Sequence, residues 1–241
     1  MLPIHERILT LLREIDGICR ENGIVYYLHG GTLLGAVRQG GFLPWDDDGD
    51  VIMTRENWEK FLAAFDRAPL PGRALECLEH HPGNLRLFPR YLDTGTTMAF
   101  ITGMENTGYD CVTVDILIFE ELPREEGKRR ACERWLLVLG ELVCRRYVLS
   151  RETPWGLYRL CRLGEKLLGR RRVEGWIRRR MAALCRGEET DYIQMPILYG
   201  GLWVCPRRFL GRPEEVELEG HPFYAPTSPR EVLRHVYGDR W

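Results

Sequence analysis

The chain has almost no net charge, no paired cysteine motif and no hydrophobic run long enough to span a bilayer. Lys and Arg number 34 against 35 Asp and Glu, a formal charge of -1, so nothing in the overall balance draws the protein to nucleic acid. The eight cysteines are scattered, without a CxxC pair or a Cys/His cluster at zinc spacing, and read as reduced core or surface thiols. No charged segment followed by an apolar one opens the chain, and the greasiest run, residues 135–144, is short and broken by Glu141. The expected location is cytoplasmic. Internal repeats, low-complexity tracts and linker-like segments are also missing. With 241 residues, 44% of them apolar, the expectation is one domain with a substantial core.

What is present is strongly local. Residues 2–20 carry Ile8, Leu12, Ile15 and Cys19 at helical spacing, stopped by Asn22-Gly23. Residues 24–28 read as a strand that delivers the chain to His29-Gly30-Gly31, and Thr32 is the expected cap of a short helix to about Val37. Pro44 then forces an extended approach to a strand over 48–53, with Asp48, Asp50 and Ile52 on one face. Thr54 caps a helix to about Ala68. Strands are expected over 75–78, 85–92, 97–101 and 112–119, the last apolar on both faces except for Asp115. Residues 125–186 turn helical and arginine-rich, with an inner stripe of Val173, Trp176, Ile177, Met181 and Leu184. Residues 191–241 read as loop-rich, ending in a helix over 229–236.

The segment LHGGTLLGAVRQGGFLPWDDDGDVIM, residues 28–53, concentrates four aspartates beside a glycine turn. Carboxylates held a few ångströms apart repel unless a cation or protons neutralise them. A glycine turn before a helix lets backbone N–H groups approach a phosphate, whose charge the helix N-terminus favours. Asp48 and Asp50 on one strand face, joined by Asp115 from a later strand, form a donor set for Mg²⁺ or Mn²⁺, hard ions that share oxygen ligands with substrate phosphates. These residues point to metal-assisted phosphoryl transfer.

That segment resembles the signature of the LicD family of phosphocholine and polyol-phosphate transferases, to which the fukutin-type proteins are related. VDILIF, residues 114–119, and the terminal VYGDRW are similar to two further family segments, in the right order. The resemblance implies a nucleotidyltransferase-like fold: an α+β core with a mixed sheet flanked by helices and an added basic helical region. It also implies a CDP-linked donor such as CDP-choline, a glycan or glycolipid acceptor and release of CMP. Carried over by residue, Gly30, Gly31 and Thr32 fall on the glycine turn, Asp48 and Asp50 on the metal pair and Asp115 on the third carboxylate. Gly49 departs from the family, which has an apolar β-branched residue there.

In the mechanism this implies, Asp48 and Asp50 hold one or two divalent ions against the donor diphosphate. Asp115 completes a second metal site or accepts the proton of the attacking hydroxyl. Asp46 and Asp47 either cap the loop or reach the metal through water. Arg38 is a second cation for the phosphates or a surface ion pair. His29 and Trp45 flank the site as substrate contacts or as packed rings, Trp45 offering a face to a quaternary ammonium. Arg90 and Tyr91 either face the donor or are structural, and Tyr237-Gly238 closes the fold. Residues 1–122 are the expected catalytic core, 123–190 a basic helical insertion and 191–241 a closure of the same domain. The arginines of 145–180 lie mainly outside, as a solvated face or as a peripheral contact with an anionic acceptor or the inner membrane face.

Two other functions share much of this pattern. A true nucleotidyltransferase would move a nucleoside monophosphate and release pyrophosphate, and a non-catalytic binding protein could use the same fold. An EF-hand calcium loop is excluded, because in that register Val51 replaces the turn glycine and Asn57 the bidentate glutamate.

Overall fold

A computed structural model describes residues 2–77, 79–81, 88–98, 111–143, 154–184, 191–196 and 202–241. The fold class is α+β: a mixed sheet with helices packed against it. The chain divides into two compact units.

The first unit comprises Met1–Glu76, Phe88–Ile118 and Arg208–Trp241. It opens with α1 (Pro3–Glu21), where a proline in the first turn sits where its missing N–H does no harm. Ile8, Leu11, Leu12, Ile15 and Cys19 are all fully buried along one helix face. Each buried aliphatic side chain of this set contributes on the order of 1.5–3 kcal/mol. The chain then passes through β1 (Tyr27–Leu28), α2 (Gly30–Gln39), β2 (Gly49–Thr54) and α3 (Arg55–Arg67). Thr54 caps α3 as expected, its Oγ1 accepting from Asn57 N. β3 (Arg73–Glu76), β4 (Arg90–Asp93) and β5 (Thr113–Leu122) complete a sheet ordered β1-β2-β5-β4-β3. Trp58, Phe61 and Phe65 of α3 pack over it, with Tyr91 edge-on to Phe61 and Phe65 at 6.4 and 5.8 Å.

Gly49 has a local explanation. A Cβ placed there would lie 2.7 Å from Ile8 Cγ2 and 3.2 Å from Val114 Cγ2. The volume that a branched side chain would fill is already taken by α1 and β5, so the glycine is a packing solution rather than a weak point.

The C-terminal part of this unit is not loop-rich. It holds a 3₁₀ turn (Arg207–Leu210), most of which lies in this unit, and β8 (Glu214–Leu218), β9 (His221–Ala225) and α7 (Pro229–Tyr237). β8 and β9 pair as a hairpin joined by Glu219-Gly220, both at positive φ (49° and 78°), the geometry a two-residue hairpin turn demands. Pro222 sits in β9 of this two-stranded ribbon, where a missing ladder N–H is tolerated, and so it does not break the strand. Reading prolines as loop signals hid these strands.

The second unit comprises Cys77–Leu87 and Phe119–Arg207. The expected helical region separates into α4 (Glu126–Val143), α5 (Trp155–Leu168) and α6 (Arg170–Leu184) around a core that includes Leu136, Leu139, Leu142, Val173, Ile177 and Met181. Trp176 departs from the expected inner stripe: it is 43% exposed and edge-on to Trp135 at 5.1 Å. Arg178 turns inward to Glu174 and Glu120, at 2.7 and 2.6 Å. The end of β5 pairs with β6 (Tyr192–Pro196), which pairs with β7 (Leu202–Pro206), two further strands where loops were expected. Of the expected strand over 85–92, residues 90–92 lie in β4 and 85–87 fall outside the described residues; of that over 97–101, residues 97–98 are not in a strand and 99–101 fall outside, as do Cys144, Arg145, Arg146 and Cys185. Among the described residues no helix is long and apolar enough to cross a membrane.

Candidate functional site

The site begins with the turn from β1 into α2. His29 is extended and serves as the N-cap, its peptide N–H donating to the Asp50 carbonyl at 3.0 Å. Gly30 then takes φ 54°, a conformation that costs a residue with a Cβ about 1–2 kcal/mol. Space forbids a side chain as well: a Cβ on Gly30 would run into Asp50 Oδ2, and one on Gly31 into Asp46 Oδ2. The two glycines therefore let carboxylates pack against the helix N-terminus, whose partial positive charge favours them. Thr32 is not the expected cap. It lies inside α2, 1% exposed, and its Oγ1 accepts from Asp50 N at 3.0 Å, tying the helix to β2.

Asp48, just before β2, Asp50 on β2 and Asp115 on β5 each present an oxygen within 4.8 Å of the others. Burial and mutual repulsion oppose the ionisation of Asp48 and Asp50. Burial, then the Asp48, Asp115 and Asp46 charges, push Asp50 well above the usual carboxylate range, and burial with Asp47 raises Asp48. Asp46 rises to about 6 through burial and its neighbour Asp48, and its Oδ2 is buried with no hydrogen-bond partner. Three converging carboxylates, with the orphaned Asp46 oxygen in the same loop, fit a small divalent cation, which would neutralise their mutual repulsion. The register extends the row: Arg90 on β4 stands opposite both Asp115 and Glu76, and its guanidinium bonds the buried Glu76 carboxylate at 2.7 Å.

The loop carrying Asp46 is braced from two sides by residues that no sequence pattern marks. His5 of α1, 3% exposed, donates through Nε2 to the Asp46 carbonyl at 2.8 Å and stacks on Phe42 at 4.8 Å. Glu219, at the hairpin tip, accepts from Phe42 N, while its own N–H donates to Gly40 O. Neither residue has a periodicity or motif that marks it.

The remaining candidates divide. His29 is buried, and burial alone pushes its imidazole down to about 4, so it is neutral near pH 7. Trp45 is 75% exposed beside Asp46. Asp47 is exposed. Arg38 is exposed in the last turn of α2, eight residues and so about 12 Å along the axis from Gly30. The structure does not bring it to the glycine turn. Tyr91 donates to Glu14 at 3.0 Å and, like Arg90, is held within the sheet and core. At Tyr237 burial first, then the charges of Asp50, Asp46 and Asp48, raise the phenol.

Comparison with known proteins agrees with this geometry. Residues 23–77 match the family described as LicD/FKTN/FKRP, nucleotidyltransferase domain, a span that contains the glycine turn and Asp46 to Asp50. The chain is 24% identical over 262 residues to the lipopolysaccharide cholinephosphotransferase LicD of Haemophilus influenzae, covering 99% of this chain and 91% of that protein. It is 46% identical over 39 residues to the ribitol 5-phosphate transferase FKRP of Homo sapiens, covering 16% of this chain and 8% of that protein. The chain is thus similar along almost its whole length to a LicD cholinephosphotransferase, and its residues 23–77 match the LicD/FKTN/FKRP nucleotidyltransferase domain.

Proposed function

We propose that the protein is a LicD-type phosphotransferase that moves a substituted phosphate, phosphocholine or a polyol phosphate, from a CDP-linked donor to a sugar hydroxyl of a glycan or glycolipid, releasing CMP. The observation that carries this reading is the convergence of Asp48, Asp50 and Asp115 within 4.8 Å beside the N-terminus of α2. Asp48, Asp50 and Asp115 would hold Mg²⁺ or Mn²⁺, with Asp46 close by, and a bound ion would neutralise phosphate charge during transfer.

The residues of the chain have separable tasks. The N–H groups opening α2 at Gly30, Gly31 and Thr32 supply a positive end for the donor phosphates. The attacking hydroxyl loses its proton to Asp115 directly, where that carboxylate stays off the metal, or through the metal that Asp115 helps to hold, as the acceptor oxygen bonds to phosphorus and the bond to CMP breaks. Trp45 offers an exposed ring to a quaternary ammonium, worth about 0.5–1 kcal/mol at such a site. His29 contributes a neutral packed ring, and Arg38 stands outside the phosphate turn as a surface cation. The cytoplasmic placement expected from the sequence belongs to this reading.

The test is incubation with CDP-choline, CDP-ethanolamine, CDP-ribitol or CDP-glycerol plus Mg²⁺ or Mn²⁺, with CMP measured in the presence of crude glycan. Metal-dependent CMP release that Asp48→Asn and Asp50→Asn abolish is the expected result. Pyrophosphate release from a nucleoside triphosphate would assign a true nucleotidyltransferase instead, and no turnover with any donor would assign a binding protein. Trp45→Ala is expected to raise KM for CDP-choline and leave CDP-ribitol unchanged.

A further inference from the structure

α5 carries two apolar faces. One, with Leu157, Tyr158 and Cys161, packs into the core of its unit. The other points outward: Leu160, Leu163 and Leu167 recur at the spacing of a single helix face and are 65%, 54% and 74% exposed. Leu168 and Trp155, at the two ends of the same helix, are 58% and 40% exposed. An isolated exposed leucine needs no explanation, but a stripe of three along about 10 Å of one helix face does.

The exposed charge carried by α5 and α6 themselves has one sign. Residues 154–184 hold nine arginines and lysines and two acidic residues, Glu165 and Glu174. Both glutamates are buried and paired, with Arg162 and Arg178. What meets solvent is therefore cationic: Arg159 and Lys166 flank the leucines on the helix surface, and Arg171 and Arg172 follow at the start of α6. The whole chain, at -1, has no such bias.

We propose that this face of α5 docks the protein on an anionic lipid surface, with Leu160, Leu163 and Leu167 entering the boundary between headgroups and acyl chains and Arg159 and Lys166 meeting lipid phosphates. Long basic side chains at the edge of an apolar stripe reach back to the headgroup plane, and each adds attraction to anionic lipid. A second copy of the chain is the poorer occupant, because a two-fold contact on this stripe would set Arg159 and Lys166 against their own equivalents. A soluble polyanion would satisfy the cations and leave the leucines in water. Only the further step, that the surface brings the enzyme to a lipid-borne acceptor, rests on the transferase reading above.

The test is vesicle flotation of the full chain, which needs neither donor nor turnover and so fails or succeeds apart from the transferase assay. Phosphatidylcholine vesicles are compared with vesicles that also contain phosphatidylglycerol, at low and high salt. Expected is flotation with the anionic vesicles at low salt, reduced by salt and by omission of phosphatidylglycerol. Leu160→Ser/Leu163→Ser/Leu167→Ser should lower partitioning about tenfold or more, and Arg159→Glu/Lys166→Glu should bring it to the neutral-vesicle level. Should the serine variant fail to fold, quenching of Trp155 by brominated anionic lipid, read as the difference from Trp155→Phe, is the independent measure. Absence of flotation with anionic vesicles at low salt overturns the proposal. So does flotation unchanged in the serine variant, or a dimer in light scattering that the same substitutions dissolve without any vesicle binding.

Discussion

The Glu219 carboxylate accepts a hydrogen bond from Phe42 N at 3.0 Å, while the Glu219 N–H donates to Gly40 O at 2.8 Å. A non-glycine residue thus sits at φ 49° at a hairpin tip and holds the loop that leads to the aspartates. Replacement separates the two effects. Glu219→Gly relieves the backbone cost but loses the side-chain bond, and Glu219→Ala loses the bond and keeps the cost. Urea midpoints should fall in the order wild type, Gly, Ala, with about 1 kcal/mol between the last two. Alanine equal to or more stable than glycine would contradict this account.

His5 supports the same loop from α1. His5→Phe keeps a ring on Phe42 and leaves the Asp46 carbonyl without its donor, which costs about 1–3 kcal/mol. His5→Ala loses the stacking too and should be less stable still. Mn²⁺ affinity, measured by titration, should weaken in both while the far-ultraviolet spectrum is unchanged.

Asp46 makes the metal-free protein sensitive to pH. Its folded carboxyl titrates at about 6, against 3.8 for an ordinary aspartate, so between these values the unfolded chain binds fewer protons than the folded one. This group therefore subtracts stability as pH rises from about 4 through about 6. Asp46→Asn lacks the loss, so its Tm advantage over wild type should open across that window and persist above it. Saturating Mg²⁺ or Mn²⁺ at pH 7 should narrow the gap. A gap as large at pH 4 as at pH 7 would rule out this origin.

Gly49→Val restores the branched residue that strand propensity favours, yet it should destabilise by about 1–3 kcal/mol through overpacking against Ile8 and Val114. Combining it with Ile8→Ala should recover part of the loss, as a double-mutant cycle of denaturation midpoints would show.

The glycine turn, the aspartate run and the strand holding Asp115 were legible in the sequence because each is a short local pattern. Their assembly was legible too, since Asp115 is a lone charge in an otherwise apolar strand and had to meet something. Thr32 shows where local reasoning fails: its residue type signals a cap, but the hydroxyl is used by Asp50 N from another strand. The strands after residue 191 were hidden because proline at a strand edge looks the same in sequence as proline in a loop. His5 and Glu219 act through backbone atoms far away in the chain, and a contact to a backbone atom leaves no trace in the identity of its partner.

The hairpin brace also has a consequence for biosynthesis. Phe42 and Glu219 are 177 positions apart, so during translation the Asp46 loop emerges long before the residue that clamps it exists. A nascent or truncated chain can form α1 and α2 early, but it cannot close this clamp until the β8–β9 turn has left the ribosome. Cation affinity at the aspartates would then rise only once the β8–β9 hairpin has folded back onto the loop.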